Sequence, residues 1–295
     1  MPSKTDFNVS PYYDDFSKDK NFHRIMYRPG YAVQARELTA QQSLLQNQIE
    51  QMGDHMFKHG AMVIPGNLTY DTNFQAVVLT SFTGTLANFN DTTITGSTSG
   101  VTAKVVGYEA ASGDIKDTLN VKYSSAGTDN TSHTMTIDET ITSDAGTGET
   151  AVVSDAQTGS AVHVDAGTYY INGYFVDVAA QTLVLNPYSR YTTYRVGFTI
   201  TETFITSTDD TSLLDNASGS SNENATGAHR FKITLTLAKY LLTDTIDSSF
   251  IELMRIDNGE IIRQVQNTPY NILEDTLARR TYDESGDYVV RNYEI

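Results

Sequence analysis

The chain has 295 residues, with 20 basic and 36 acidic side chains and a formal charge of -16. That balance repels phosphate backbones and excludes general nucleic-acid binding, and the absence of cysteine excludes disulfides and thiolate metal sites. No apolar run approaches the roughly 18 residues of a membrane-spanning helix, so neither nucleic acid nor membrane is expected as a partner.

Tyrosine (18) and phenylalanine (12) are plentiful and tryptophan is absent. Thr, Ser, Gly and Asp fill the spaces between them, as in a turn-rich all-β protein. The expected fold class is mainly β, with β-sandwich or barrel-like domains and one long N-terminal coiled-coil-like helix.

Residues 1–30 combine an acidic aromatic cluster (Tyr12, Tyr13, Asp14, Asp15, Phe16) with a basic one (Lys18, Lys20, His23, Arg24, Arg28) and show no sustained period. This reads as an anchoring arm. Aromatic area is useful only when something covers it, so Tyr12, Tyr13, Phe16 and Phe22 are expected to dock on a neighbouring surface. Pro29-Gly30 breaks the chain just before the one long segment with helical apolar spacing.

That segment, residues 31–60, is expected to be an oligomerising helix. Ala35, Leu38, Gln42, Leu45, Ile49, Met52, Met56 and His59 recur in steps of three and four, the seam of a heptad rather than a broad amphipathic face. A seam so narrow needs partner helices. No second helix of similar length is apparent, so the expected partners are copies of the same helix from other chains. Leu38, Gln42, Leu45, Ile49, Met52 and Met56 are the expected interface, with Leu45, Ile49, Met52 and Met56 supplying cohesion and Gln42 setting register. The alternative is that the helix lies on its own β domain with Gln42 at the margin. Gly60 is expected to close the helix as a left-handed cap, and Ala61 to Ile64 read as a short buried strand stopped by Pro65-Gly66.

The main β domain is expected over residues 61–82 and 161–295. Between them, residues 83–160 read as a small inserted β domain, barrel or sandwich, with short apolar pieces at 101–106, 119–123, 135–137 and 151–153. Those pieces are few, which predicts a thin core. Asn172-Gly173 and Asn258-Gly259 are hairpin signals, because Asn-Gly adopts the positive φ angles of a type I′ turn. Phe231, Ile233, Leu235 and Leu237 alternate with polar partners as a half-buried strand does. A short helix is expected over residues 271–280. The last eight residues read as a strand cut short, so the natural polypeptide is expected to be longer.

Nothing in the chain spells out an enzyme site, and no cofactor is expected. Only His55 and His59 have ligand-like spacing, without the adjacent glutamate or the following acidic ligand of a zinc protease. His59 falls on the seam by count, so three imidazoles could meet in a trimer, although a solvated helix end is the simpler reading. The acidic stretches at Asp14-Asp15, Asp209-Asp210 and Asp244/Asp247 read as solvated turns, and Asp129-Asn130-Thr131 and Asp209-Asp210-Thr211 resemble fragments of calcium loops without the Gly and terminal Glu of an EF-hand. No nucleophile elbow, phosphate-binding loop or dinucleotide fingerprint occurs.

Three separated blocks, residues 21–66 (NFHRIMYRPGYAVQARELTAQQSLLQNQIEQMGDHMFKHGAMVIPG), 165–189 (DAGTYYINGYFVDVAAQTLVLNPYS) and 275–290 (DTLARRTYDESGDYVV), resemble a domain-of-unknown-function family of virion structural proteins from marine contractile-tailed phages, cyanophages above all. The resemblance implies a non-enzymatic tail protein, in the baseplate or at the attachment of a tail fibre. It further implies a virion location, contacts with other tail and baseplate proteins, and a homotrimer, since such proteins are often three-fold with a short coil on the axis. A second reading, from a different class, is a host-surface glycan-binding fibre or depolymerase, for which exposed tyrosines and carboxylates would serve.

Overall fold

The computed structural model describes residues 5–146, 148–265 and 271–287. Strands dominate it, in three sheets, and its helices are short. The helices are α1 (Ala35–Met56) and α2 (Asn271–Ser285). The strands run β1 (Met62–Ile64), β2 (Leu68–Phe82), β3 (Thr93–Gly96), β4 (Thr102–Glu109), β5 (Thr118–Ser125), β6 (Thr140–Ser143) and β7 (Thr150–Val164), then β8 (Gly167–Ile171), β9 (Tyr174–Val178), β10 (Gln181–Asn186), β11 (Tyr194–Ile205), β12 (Arg230–Tyr240), β13 (Phe250–Asp257) and β14 (Glu260–Gln264).

The largest sheet has the order β10-β7-β2-β5-β4-β3-β6, and β6 pairs back onto β7. Six strands therefore close into a small antiparallel barrel, which leaves no free edges around its circumference. Its interior is apolar: Val77 and Leu79 of β2, Ala103 and Val105 of β4, Leu119 and Val121 of β5, and Ile141 of β6 are all buried. Glu139 is buried at one end of the barrel and is satisfied there, accepting from the backbone N–H groups of Thr98, Ser99 and Thr136.

The remaining strands form a sandwich. One layer is the sheet β12-β11-β13-β14; the other is β1-β8-β9 together with the far ends of β2, β7 and β10. Phe198, Leu253, Met254 and Ile256 of the first layer meet Val162, Val164, Tyr169 and Ile171 of the second. Both expected Asn-Gly turns are present. Asn172 and Gly173 have φ of 48° and 90° and connect β8 to β9, and Asn258 and Gly259 have φ of 49° and 81° between β13 and β14.

Several expectations change at this level. The long N-terminal coiled-coil helix is not present: α1 covers 22 residues, about 33 Å, and no second helix winds around it among the described residues. Gly60 does take a left-handed φ of 83°, but it sits in a turn four residues beyond Met56 rather than capping the helix. β2 and β7 are 15 residues each and run through both bodies. Val77 and Leu79 thus line the barrel while Leu68 lines the sandwich, so residues 83–160 share two strands with the main core instead of standing apart from it. The apolar piece at 135–137 is no strand; Met135 plugs the barrel from a loop, and the strand follows at β6. The terminal strand expected over 288–295 lies outside the described residues.

Candidate assembly surface

α1 begins where Gln34 donates its backbone N–H to Glu37 Oε2 at 2.9 Å, a carboxylate reaching back over the open first turn. Its inner face is mostly polar, apart from half-buried Ala40 and Leu44 beside the arm. Ser43 donates to Asp14, Gln46 Nε2 donates to the carbonyl of Gly173 at 2.7 Å, and Glu50 accepts from Lys18 Nζ at 3.2 Å. Glu50 and Gly53 are the buried residues of the helix. Close approach explains the glycines: a Cβ on Gly53 would stand 2.5 Å from Tyr170 Oη, and one on Gly173 would stand 2.8 Å from Glu50 Cγ. Tyr170 itself donates to the Glu50 carbonyl at 3.1 Å and to Asp54 Oδ1 at 2.9 Å. Burial, and then the Asp54 carboxylate, pushes its phenol well above the usual tyrosine range. The tip of the β8-β9 hairpin and α1 are thereby locked together through small and polar groups.

The outer face is the opposite. Leu38, Leu45, Ile49 and Met52 are 53%, 61%, 48% and 68% exposed, and Gln42 is exposed between them. The usual arrangement, apolar in and polar out, is inverted on this helix. The exposure holds with α2 lying beside α1, and α2 adds exposed Leu277 and Tyr282 of its own. Met56 leaves the stripe: it is half-buried against Phe57, Ala61 and Tyr170, so its place in the expected interface is corrected to a contact within the chain. His59 lies past the end of the helix and accepts from the backbone N–H of Asn172 at 3.3 Å, which turns it toward its own hairpin and away from any seam. Among the described residues no group of three or more His, Asp or Glu is placed to hold a metal ion.

The arm splits in two. Residues 5–20 belt the chain's own surface. Phe7 meets Phe231 and Phe204 edge-on at 5.0 and 5.9 Å, and Tyr12 lies over Phe204 at 4.8 Å with its hydroxyl 2.7 Å from His229 Nδ1. Asp14 is buried, accepting from Ser43 and from the Phe16 N–H. Tyr12 and half-buried Phe16 are therefore occupied within the chain, contrary to the docking role expected of them. Tyr13 and Phe22 are exposed, as are Met26, Tyr27, Tyr31 and Val33 further along. This second half of the arm was visible in the sequence as scattered apolar residues without a period, and only the path of the backbone brings it up to the start of α1. Phe22 lies beside Arg36, Glu37, Ala40 and Leu44 of α1, and Tyr27 donates its hydroxyl to Gln41 Oε1 at 3.0 Å, so the exposed part of the arm borders the helix.

The acidic turns are satisfied locally. Asp129 accepts from Thr131 and Ser132, Asp209 from Thr206 and Asp210 from Ser212, all within turns, and those hydrogen bonds hold each carboxyl below its usual range. A family profile described as a domain of unknown function, DUF4815, matches residues 10–110 and 125–295. The chain belongs to the DUF4815 family. No curated protein and no solved structure matches it. The DUF4815 match takes in the second half of the arm, α1 and both β bodies, and its gap at residues 111–124 falls on the β4–β5 connection and most of β5.

Proposed function

We propose that this chain is a non-enzymatic structural subunit of a phage tail, in the baseplate or at a fibre attachment, that assembles as a homotrimer through α1. The observation that carries the self-association is the inverted helix. Leu38, Leu45, Ile49 and Met52 face solvent at heptad spacing while Ser43, Gln46 and Glu50 face the chain's own body. Water-exposed leucine, isoleucine and methionine in one stripe cost free energy that a facing copy removes, and heptad spacing is the pattern by which identical helices cover one another. Gln42, exposed within the stripe, is the polar position that fixes register around a three-fold axis.

The assignment to a tail rests on the resemblance of residues 21–66, 165–189 and 275–290 to virion proteins of contractile-tailed phages. In this reading residues 13 and 22–33 of the arm supply the contact with neighbouring tail or baseplate proteins, since Tyr13, Phe22, Met26 and Tyr27 are uncovered in the single chain. Gold-labelled antibody against the purified chain, imaged on intact virions of a phage that encodes it, tests the placement. Label on the distal tail is expected; label on the capsid alone, or none, would sink it.

A further inference from the structure

A second feature lies away from α1. A cleft of about 1240 Å³ opens between the outer wall of the barrel, made by β4 and β5, and the stretch of β2, β7 and β10 that continues into the sandwich. Single small ligands occupy pockets of about 300–1,000 Å³, so this volume suits an extended molecule.

The floor holds an unused amide. Asn120 is 3% exposed, yet its Oδ1 has no hydrogen-bond partner. Buried amides without partners are costly and uncommon, and in a cleft they point to a ligand that completes them. Opposite Asn120 on β4 the register slips between Val105 and Gly107, and Gly107 brings no side chain: a Cβ there would stand 3.7 Å from Asn120 Nδ2. Bulge and glycine together keep the approach to the amide open.

Around it, the barrel wall has free groups. Tyr108 is 42% exposed, and the side chains of Tyr108, Lys122 and His133 make no hydrogen bond or ion pair within the described chain. The far wall is committed. Lys239 Nζ donates to the carbonyls of Val184 and Leu185 at 2.9 and 2.6 Å, and His163 bonds Thr182 and Asp165. Gln181 caps the same edge, donating to the Leu235 carbonyl and accepting from the Leu237 N–H. The open edge of β10 is thus already engaged, which leaves a strand-adding peptide no backbone ladder to join. Charges in the cleft balance, Asp71 and Glu109 against Lys122 and Lys239, so no field selects a polyanion.

What remains is an exposed aromatic face beside hydroxyl-binding amide, ammonium and imidazole groups. Sugar rings present C–H edges that suit the negative face of an aromatic ring and hydroxyls that both donate and accept. We propose that this cleft binds a neutral oligosaccharide, one ring stacked on Tyr108 and its hydroxyls bonded to Asn120, Lys122 and His133.

The inference is independent of self-association through α1. Its test is an array of neutral glucose-, galactose-, xylose- and N-acetylglucosamine-based oligosaccharides beside anionic ones, probed with the full chain, followed by calorimetric titration of the best neutral ligand. Retention of neutral chains is expected, with at least tenfold weaker binding by Tyr108→Ala and by Asn120→Leu. Tyr191→Ala, at an exposed tyrosine outside the cleft, should bind unchanged. Because Tyr108 lies at the surface, its variant keeps the test valid if Asn120→Leu fails to fold. Retention of anionic glycans only, retention of none, or undiminished binding by Tyr108→Ala overturns the proposal.

Discussion

Replacing Gly53 by alanine sets two opposed effects against each other on one helix. Alanine in a helix interior is favoured over glycine by about 1 kcal/mol, from the backbone freedom that glycine loses on folding. Here the added Cβ would stand 2.5, 2.6 and 2.7 Å from Tyr170 Oη, Cε2 and Cζ, distances at which something must shift. Tyr170 cannot swing aside cheaply. It is 1% exposed, and its hydroxyl is tied to the Glu50 carbonyl and Asp54. Overpacking of this kind costs about 1–3 kcal/mol, and lifting α1 also forfeits part of the Gln46–Gly173 and Tyr170–Asp54 hydrogen bonds, each about 1 kcal/mol. The clash outweighs the propensity gain, and Gly53→Ala should lose about 1–3 kcal/mol. Urea titration followed by circular dichroism reads this as a lower midpoint with little change in slope. An alanine variant as stable as the parent, or more so, would refute the close docking of α1 on the hairpin.

Ile49→Asp leaves the single chain nearly untouched, within about 0.5 kcal/mol, because the side chain is half in water there. It should nevertheless dissociate the assembly as seen by sedimentation velocity. Tyr169→Phe should be neutral or stabilising by about 1 kcal/mol in thermal unfolding, since the Tyr169 hydroxyl is buried without a partner. Burial pushes the Tyr169 phenol up to about 12, so the fold favours its protonated form. That stability is complete below the free tyrosine value of about 10 and is lost as pH rises through 12, a change of about 2–3 kcal/mol that Tyr169→Phe should remove from an alkaline titration. Asp14→Ala removes the buried acceptor of Ser43 and of the Phe16 N–H and should free the arm, read as faster tryptic cleavage at Lys18 and Lys20 with the β body intact.

Local chemistry carried much of the fold into the sequence. Asn172-Gly173 and Asn258-Gly259 each announce a hairpin because no other common pair takes two positive φ angles so readily, and the alternation from Phe231 to Leu237 announces β12. The barrel was legible only as scattered short strands. Its closure depends on β6 returning to β7, a pairing between segments with no local signature, and β3 and β6 are four residues each, too short to show a period. α1 was visible as a helix, and its apolar seam was visible too. Which face the body would claim was not, because the body grips α1 through Ser43, Gln46, Glu50 and Gly53, polar and small residues that hydrophobic patterning assigns to solvent. The arm misled for the same reason. Tyr12 and Phe22 look alike in sequence, and only the tertiary path places one over Phe204 and leaves the other in water. The cleft gave no warning at all, since Tyr108, Asn120 and His133 come from three separate segments of the barrel.

The stripe on α1 is the centre of the account, and the mass of the purified chain in solution tests it most directly. Light scattering coupled to size exclusion should report three times 32.5 kDa, falling to one chain's mass in Ile49→Asp. A stable 32.5 kDa species in the unaltered protein, at concentrations well above those of the assay's detection limit, would contradict it.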